Sequence, residues 1–139
     1  MPKGNAGQLP GNTVVTATED LAAELRGVLR GKVLTREPMA RHTSFQVGGP
    51  ADLLVVPEDL GDLKAALAFA RSGHLPVLVL GSGSNTLVRD GGIRGMVILP
   101  SAFQELTRDG VEVTAGAGVR VSRLLAFCSK QGLTGLEIL

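Results

Sequence analysis

Residues 79–90 read VLGSGSNTLVRD, and within them Gly81, Ser82, Gly83, Ser84 and Asn85 stand together directly after an apolar run, with no lysine nearby. Such residues leave the main chain bare, so successive N–H groups are free to face a ligand. The ligand this suits best is a phosphate. Three glycine-loop chemistries compete for the stretch. A triphosphate loop ends in Gly-Lys-Ser/Thr so that an ammonium reaches the outer phosphates, and that ending is absent. A dinucleotide fingerprint needs a third small residue where a helix begins, but Thr86 occupies that position and no helical period follows. The third is a nest, in which the amides of a turn converge on an anion while Ser82, Ser84 and Asn85 add side-chain donors. Gly81 and Gly83 would permit the positive φ and close approach that a nest requires. Gly, Ser and Asn are also ordinary turn formers, and spacing alone does not separate a nest from a decorated turn.

Other candidates are weaker. His42 and His74 are far apart, and no Ser-His-Asp set, carboxylate pair or metal-ligand spacing accompanies them, so neither a catalytic residue nor a metal is assigned. Arg41, Arg89 and Arg94 could approach a phosphate, although solvated surface arginines are the commoner case, and the lone Cys128, set in an apolar helical pattern, reads as a buried thiol. The stretch GAGVR at 116–120 follows a strand, and its glycines suit either a plain strand-to-helix link or a place where backbone lies against a flat ring.

The elements that must carry these residues are legible in outline. Residues 1–18 are rich in Gly, Pro, Asn and Thr without period and are read as a mobile leader, with ordered structure from about Asp20. Leu21, Leu25, Val28 and Leu29 then recur at helical spacing, up to a break near Gly31. ADLLVVP at 51–57 predicts a strand. The next segment predicts a helix with Leu60, Leu63, Leu67 and Ala70 on its buried face, Glu58, Asp59 and Asp62 in its opening turn and Gly73 at its stop. PVLVLG at 76–81 predicts a strand buried on both faces, completing a β-α-β crossover. GMVILP at 95–100 predicts another strand, and VEVTAGAG at 111–118 a half-exposed one after an Asp109-Gly110 turn. A last helix is expected from Ser122 as its cap to Gly132, burying Leu124, Leu125 and Cys128. GLEIL at 135–139 begins an apolar segment that stops, as a truncated product would.

Composition narrows the class. Lys and Arg number 14 against 13 Asp and Glu, for a net charge of +1, so the field that draws in a nucleic acid is missing. Four Phe and no Trp or Tyr leave few stacking platforms, which also argues against nucleic acid. No run has the length of a membrane span and no secretory signal pattern is present, making the cytoplasm the expected compartment. The glycines and prolines, 19 and 7 without period, fit a globular domain with many tight turns.

In order, RHTSFQVGGPADLLVVP, PVLVLGSGSNTLVRDGGIRGMVI, VTAGAG and GLTGLEIL resemble the front part of bacterial UDP-N-acetylenolpyruvoylglucosamine reductases, the MurB family, across residues 39–139. The resemblance implies an α+β fold: a two-lobed FAD-binding domain of the vanillyl-alcohol-oxidase type, incomplete at its C-terminal side. It implies a first lobe over about 39–80 and the start of a second over about 93–139, after a leader at 1–19. It also implies that Gly81, Ser82, Gly83, Ser84, Asn85 and Thr86 wrap the FAD pyrophosphate, with Val47, Gly48 and Gly49 and with Gly116, Ala117 and Gly118 close to the cofactor cleft. The family's reaction takes hydride from NADPH through FAD to a UDP-sugar enol ether, an early step of peptidoglycan synthesis. The family's catalytic arginine, serine and glutamate would lie beyond Leu139, so this chain alone is expected to be inactive. The alternative is a non-catalytic FAD or nucleotide holder acting with a separate partner chain.

Overall fold

A computed structural model of the chain describes residues 11–136. The first helix, α1 (Gly11–Val28), starts well upstream of Asp20. The reason is local: between Asn12 and Arg26 the sequence has neither Gly nor Pro, and the Thr and Val residues there lower helix propensity by only a few tenths of a kcal/mol each, roughly. Of the expected leader, residues 1–10 lie outside the described residues, as do the last three residues of GLEIL. Ala22 and Leu25 of α1 and Leu29 just past it are buried, whereas Val28 turns out to solvent at 60% exposure.

After the break at Gly31, β1 (Lys32–Pro38) forms a strand that the periodicity does not announce, because charged and apolar residues mix along it. Arg26 of α1 donates to the Val33 carbonyl, and Thr35 Oγ1 donates to Glu19 at 2.7 Å, tying helix to strand. A 3-10 turn at Met39–Arg41 leads through a loop into β2 (Pro50–Val56), which pairs antiparallel with β1, Leu34 opposite Leu54 and Glu37 opposite Ala51. Then α2 (Leu60–Ser72) crosses back to β3 (Val77–Val79), and β4 (Ile93–Ile98) inserts between β2 and β3, parallel to both. The sheet order is β1-β2-β4-β3. Ile93–Ile98 therefore belongs to the first sheet and does not open a second lobe; the second, two-stranded sheet consists of β5 (Leu106–Asp109) and β6 (Glu112–Ala115), with Gly110 at φ 58° in the turn between them. The chain then forms α3 (Val121–Lys130).

The two central strands carry the core. Leu53, Val55, Met96 and Ile98 face α1 and α2 in one buried cluster, while Leu54, Val97, Met39, Ala51, Leu80 and Val88 form another on the opposite face. Successive residues of a strand point to opposite faces, and each fully buried large side chain contributes about 1.5–3 kcal/mol. β3 departs from expectation: Val77, Leu78 and Val79 are 39%, 39% and 58% exposed. A continuous apolar run reads as doubly buried, but β3 lies at the edge of the sheet with a neighbour on one side alone.

On α2 the buried residues are Asp62, Ala66 and Ala70, with Leu63 and Phe69 packed beside them, while Leu60 and Leu67 are exposed. Small residues let this helix lie close to the sheet, so counting leucines rotates the predicted face. Asp59 is the N-cap, accepting from the Asp62 N–H at 3.0 Å. The helix stops at Gly73 with φ −84°, and the left-handed residue is the following His74 at φ 51°. In α3 the cap position is Arg120, two residues before Ser122, and no side chain bonds there. Its C-terminal stop does fall at Gly132, whose φ is 65°, with the Leu133 N–H returning to the Cys128 carbonyl at 2.9 Å. Cys128 is buried as expected, and Leu124 and Leu125 are half-buried. Among the described residues no helix is long and apolar enough to cross a membrane.

Candidate functional site

The glycine loop leaves the C-terminal end of β3, where the parallel strands of an α/β sheet present their ligands. Leu80 is still part of the sheet: its side chain is buried and its N–H donates to Ile98 at 2.9 Å. From Gly81 the pairing ends. None of the backbone N–H groups of residues 81–85 has an acceptor among the described residues, which is the condition a nest needs and a self-satisfied turn lacks.

The two loop glycines differ. Gly83 has φ 65°, its carbonyl accepts from the Ser44 N–H at 3.1 Å, and a Cβ there would overlap the His42 carbonyl. It anchors the loop to residues 42–44. Gly81 has no positive φ, and a Cβ on it would meet nothing within 4 Å. Its bareness answers no demand of the fold, and it opens onto a cleft of about 580 Å³ that Gly81 and Ser82 help to line. Ser82 Oγ and Ser84 Oγ are 3.3 Å apart. Gly83, Ser84, Asn85 and Thr86 continue the loop behind this wall.

Across the cleft lie Ala117 and Gly118. The Gly116 and Gly118 N–H groups donate to Glu105 and Phe103 carbonyls at 2.8 and 2.9 Å, and a Cβ on Gly118 would overlap the Pro100 carbonyl. Gln104 Nε2 donates to the Gly118 carbonyl at 2.6 Å while Arg123 Nη1 donates to Gln104 Oε1 at 2.9 Å, fastening this turn from behind. Gly116 and Gly118 are thus fixed by close backbone packing, and Ala117 is exposed at the turn's tip.

Val47, Gly48 and Gly49 do not line the cleft. Gly48 packs against Val88 with φ 129°, and the Gly49 N–H donates to the Arg89 carbonyl at 2.9 Å with no room for a Cβ beside Asp90. The pair braces the outgoing limb of the glycine loop. Val47 is 48% exposed, and its carbonyl accepts from Thr43 Oγ1 at 3.2 Å.

Several wall residues lie outside the two glycine-rich stretches. Arg41, His42, Thr43 and Ser44 form one side, and Gln104 and Arg120 belong to the other. Of the arginines, Arg41 and Arg120 line the cleft, while Arg89 and Arg94 do not, Arg94 being paired with Asp52 at 3.0 Å. The run Arg-His-Thr-Ser is a dense set of donors and was the available signal. Among the described residues no Asp or Glu lines the cleft. In a chain whose net charge is +1, amides, hydroxyls and two guanidiniums set among the apolar Leu80, Leu99, Pro100, Val119 and Val121 favour an anion. That donor set, with open space at Gly81, fits a diphosphate.

Residues 51–138 match the family described as FAD binding domain. The chain belongs to that family. The FAD binding domain match contains both the glycine loop and the 116–118 turn, and FAD is the cofactor it brings. The UDP-N-acetylenolpyruvoylglucosamine reductase of Geobacter sulfurreducens is 49% identical over 120 residues, covering 86% of this chain and 40% of the relative. That of Geobacter metallireducens is 50% identical over 122 residues, covering 87% and 41% respectively. The chain therefore spans about two fifths of the length of the curated relatives it matches. Among solved structures, the reductase of the same name from Thermus caldophilus superposes with a TM-score of 0.58 at 35% identity, over 78% of this chain and 36% of that one. P-cresol methylhydroxylase superposes at 0.54 with 13% identity, over 91% and 26%, a likeness of fold alone. Together these establish the α+β FAD-binding fold expected from the sequence.

Proposed function

We propose that this chain is the FAD-holding part of a UDP-N-acetylenolpyruvoylglucosamine reductase, working in the cytoplasm on a UDP-sugar with NADPH as reductant. The observation that carries the reading is the row of amides at Gly81–Asn85, unpartnered among the described residues, opening through Gly81 and Ser82 onto a cleft whose described lining has no carboxylate. In this reading the amides of Gly81 and Ser82 and the Ser82 hydroxyl take the FAD diphosphate, with Ser84, Asn85 and Thr86 shaping the loop around it. The guanidiniums of Arg41 and Arg120 balance its charge. Val47, Gly48 and Gly49 brace that loop from outside, and Gly116, Ala117 and Gly118 supply a thin opposite wall that a ring system can approach. Bound FAD supplies the relay of hydride from NADPH to the enol ether; the residues of this chain bind and orient it. The family's acid and its charge-stabilising groups lie outside these residues, so no catalytic residue is assigned.

Titration of the purified chain with FAD, followed by flavin fluorescence, tests this directly. Saturable quenching is expected, with ADP competing and riboflavin, which lacks the diphosphate, failing to compete. Binding in which riboflavin competes as well as FAD and ADP has no effect would remove the diphosphate cradle.

A further inference from the structure

Glu37 sits near the end of β1, against the wall that backs the glycine loop, and its side chain is only 13% exposed. Its Oε1 lies 3.0 Å from His42 Nε2 and 3.6 Å from Arg41 Nη1. A carboxylate only accepts, so the hydrogen of this pair sits on His42 Nε2. The residue before it, Arg36, has φ 50° in the middle of a strand, a left-handed conformation that persists where surrounding structure over-determines it. His42 in turn caps the 3-10 turn, its carbonyl lies against Gly83 so closely that a Cβ there would overlap it, and two residues on the Ser44 N–H bonds Gly83 at 3.1 Å. Thr43 between them is buried and bonded to Val47.

We propose that Glu37 is a positioning residue for the cofactor loop: by holding the His42 ring it fixes the 42–44 peptides on which Gly83 rests, and so sets where the Gly81 and Ser82 amides stand. This rests on the FAD reading for its functional part, while the latch itself can be read in the free protein. Nothing in the loop's own sequence announces the connection, because Glu37 is remote from it in the chain and meets it through one imidazole.

The test compares Glu37→Leu and Glu37→Gln with the parent in the full chain by amide hydrogen exchange at Ser44 and by FAD titration. Glu37→Gln keeps an acceptor for His42 Nε2 and is expected to stay within about threefold of the parent in FAD affinity. Glu37→Leu keeps the volume and removes the acceptor; Ser44 exchange should rise and FAD affinity fall by about tenfold each, with the β1–β2 amides still protected. If Glu37→Leu loses that sheet protection, His42→Leu, which removes the other end of the pair and leaves Glu37 in the strand, takes its place, and Ser44 exchange is again expected to rise about tenfold. Unchanged Ser44 exchange in the variant that keeps the sheet, or equal losses in Glu37→Gln and Glu37→Leu, would each overturn the proposal. A parent chain that binds no FAD although Glu37→Leu quickens Ser44 exchange would instead bring down the FAD reading, leaving Glu37 a purely structural anchor and ending its cofactor role.

Discussion

Gly81→Ala should lower FAD affinity by about tenfold, equivalent to ~1.4 kcal/mol, while leaving the urea midpoint where it was. The backbone at Gly81 is not left-handed and an added Cβ meets nothing in the protein, so folding has no reason to resist the methyl group. The methyl would stand in the cleft instead, in the space the proposed reading gives to the diphosphate. Gly83 behaves differently. Any L-residue there must accept φ 65°, at roughly 1–2 kcal/mol, and must also push back the His42 carbonyl. Gly83→Ala or a β-branched replacement is therefore expected to reduce stability and FAD affinity together, and Gly83 by itself does not separate a cradle from a decorated turn. The pair does. Equal loss of stability from both substitutions, or no change in FAD affinity from Gly81→Ala, would argue that the loop's glycines serve the fold alone.

The second large effect is expected at Asp62, which lies at the start of α2 and is 4% exposed. Its Oδ2 accepts from the Glu58 N–H at 3.0 Å and the Gly31 N–H at 2.8 Å, and its Oδ1 from the Arg30 N–H at 3.1 Å. The Glu58 and Arg30 amides, joined by Gly31 and the Arg30 charge and opposed by burial, hold the carboxyl below its ordinary pKa of 3.8. A lowered folded-state pKa means that the carboxylate's contribution is complete above the unfolded value and is lost as pH falls through the folded one. The urea midpoint should thus hold on acidification to about pH 4 and then decline, and the Asp62 share of that decline should vanish in Asp62→Asn. At neutral pH Asp62→Asn should already be less stable, since an amide nitrogen in place of either oxygen faces an N–H donor. Asp62→Ala, leaving three amides without an acceptor, should be worse still. A parent and an Asp62→Asn chain with parallel midpoint-against-pH curves would refute the assignment.

How far the sequence anticipates this molecule depends on what each signal measures. Period and punctuation locate β2, α2, β4, the Asp109-Gly110 turn and the Gly132 stop to within a few residues, because those features are local. They misjudge β3, whose apolar run says nothing about how many neighbours it will have, and they miss β1, where alternation is blurred by Lys32, Arg36 and Glu37. On α2 the expected stripe is half right: Leu63 and Ala70 pack in the core, but Leu60 and Leu67 are exposed and Ala66 takes the place between them. Composition leaves the glycine loop open between a phosphate nest and a decorated turn, and its amides, unpaired among the described residues, are what a nest needs. The loop's surroundings are not legible from composition: Arg41 to Ser44 and Ala117 to Val121 become two walls of one cleft only after β1 folds back on β2 and the hairpin closes beside Pro100. Arg41 and Arg120 reach the cleft by that route, while Gly48 and Gly49, similar in composition to the loop, end as braces outside it.

The polar part of the cleft lining, hydroxyls, amides and the guanidiniums of Arg41 and Arg120, does not distinguish among oxyanions by charge alone. Phosphate, sulfate or citrate in a purification buffer would enter the same space between Ser82 and Arg120, and a flavin carried through expression would be displaced in proportion to their concentration. Handling the chain in chloride or acetate at modest ionic strength is the condition under which its colour, if it has acquired any, should survive.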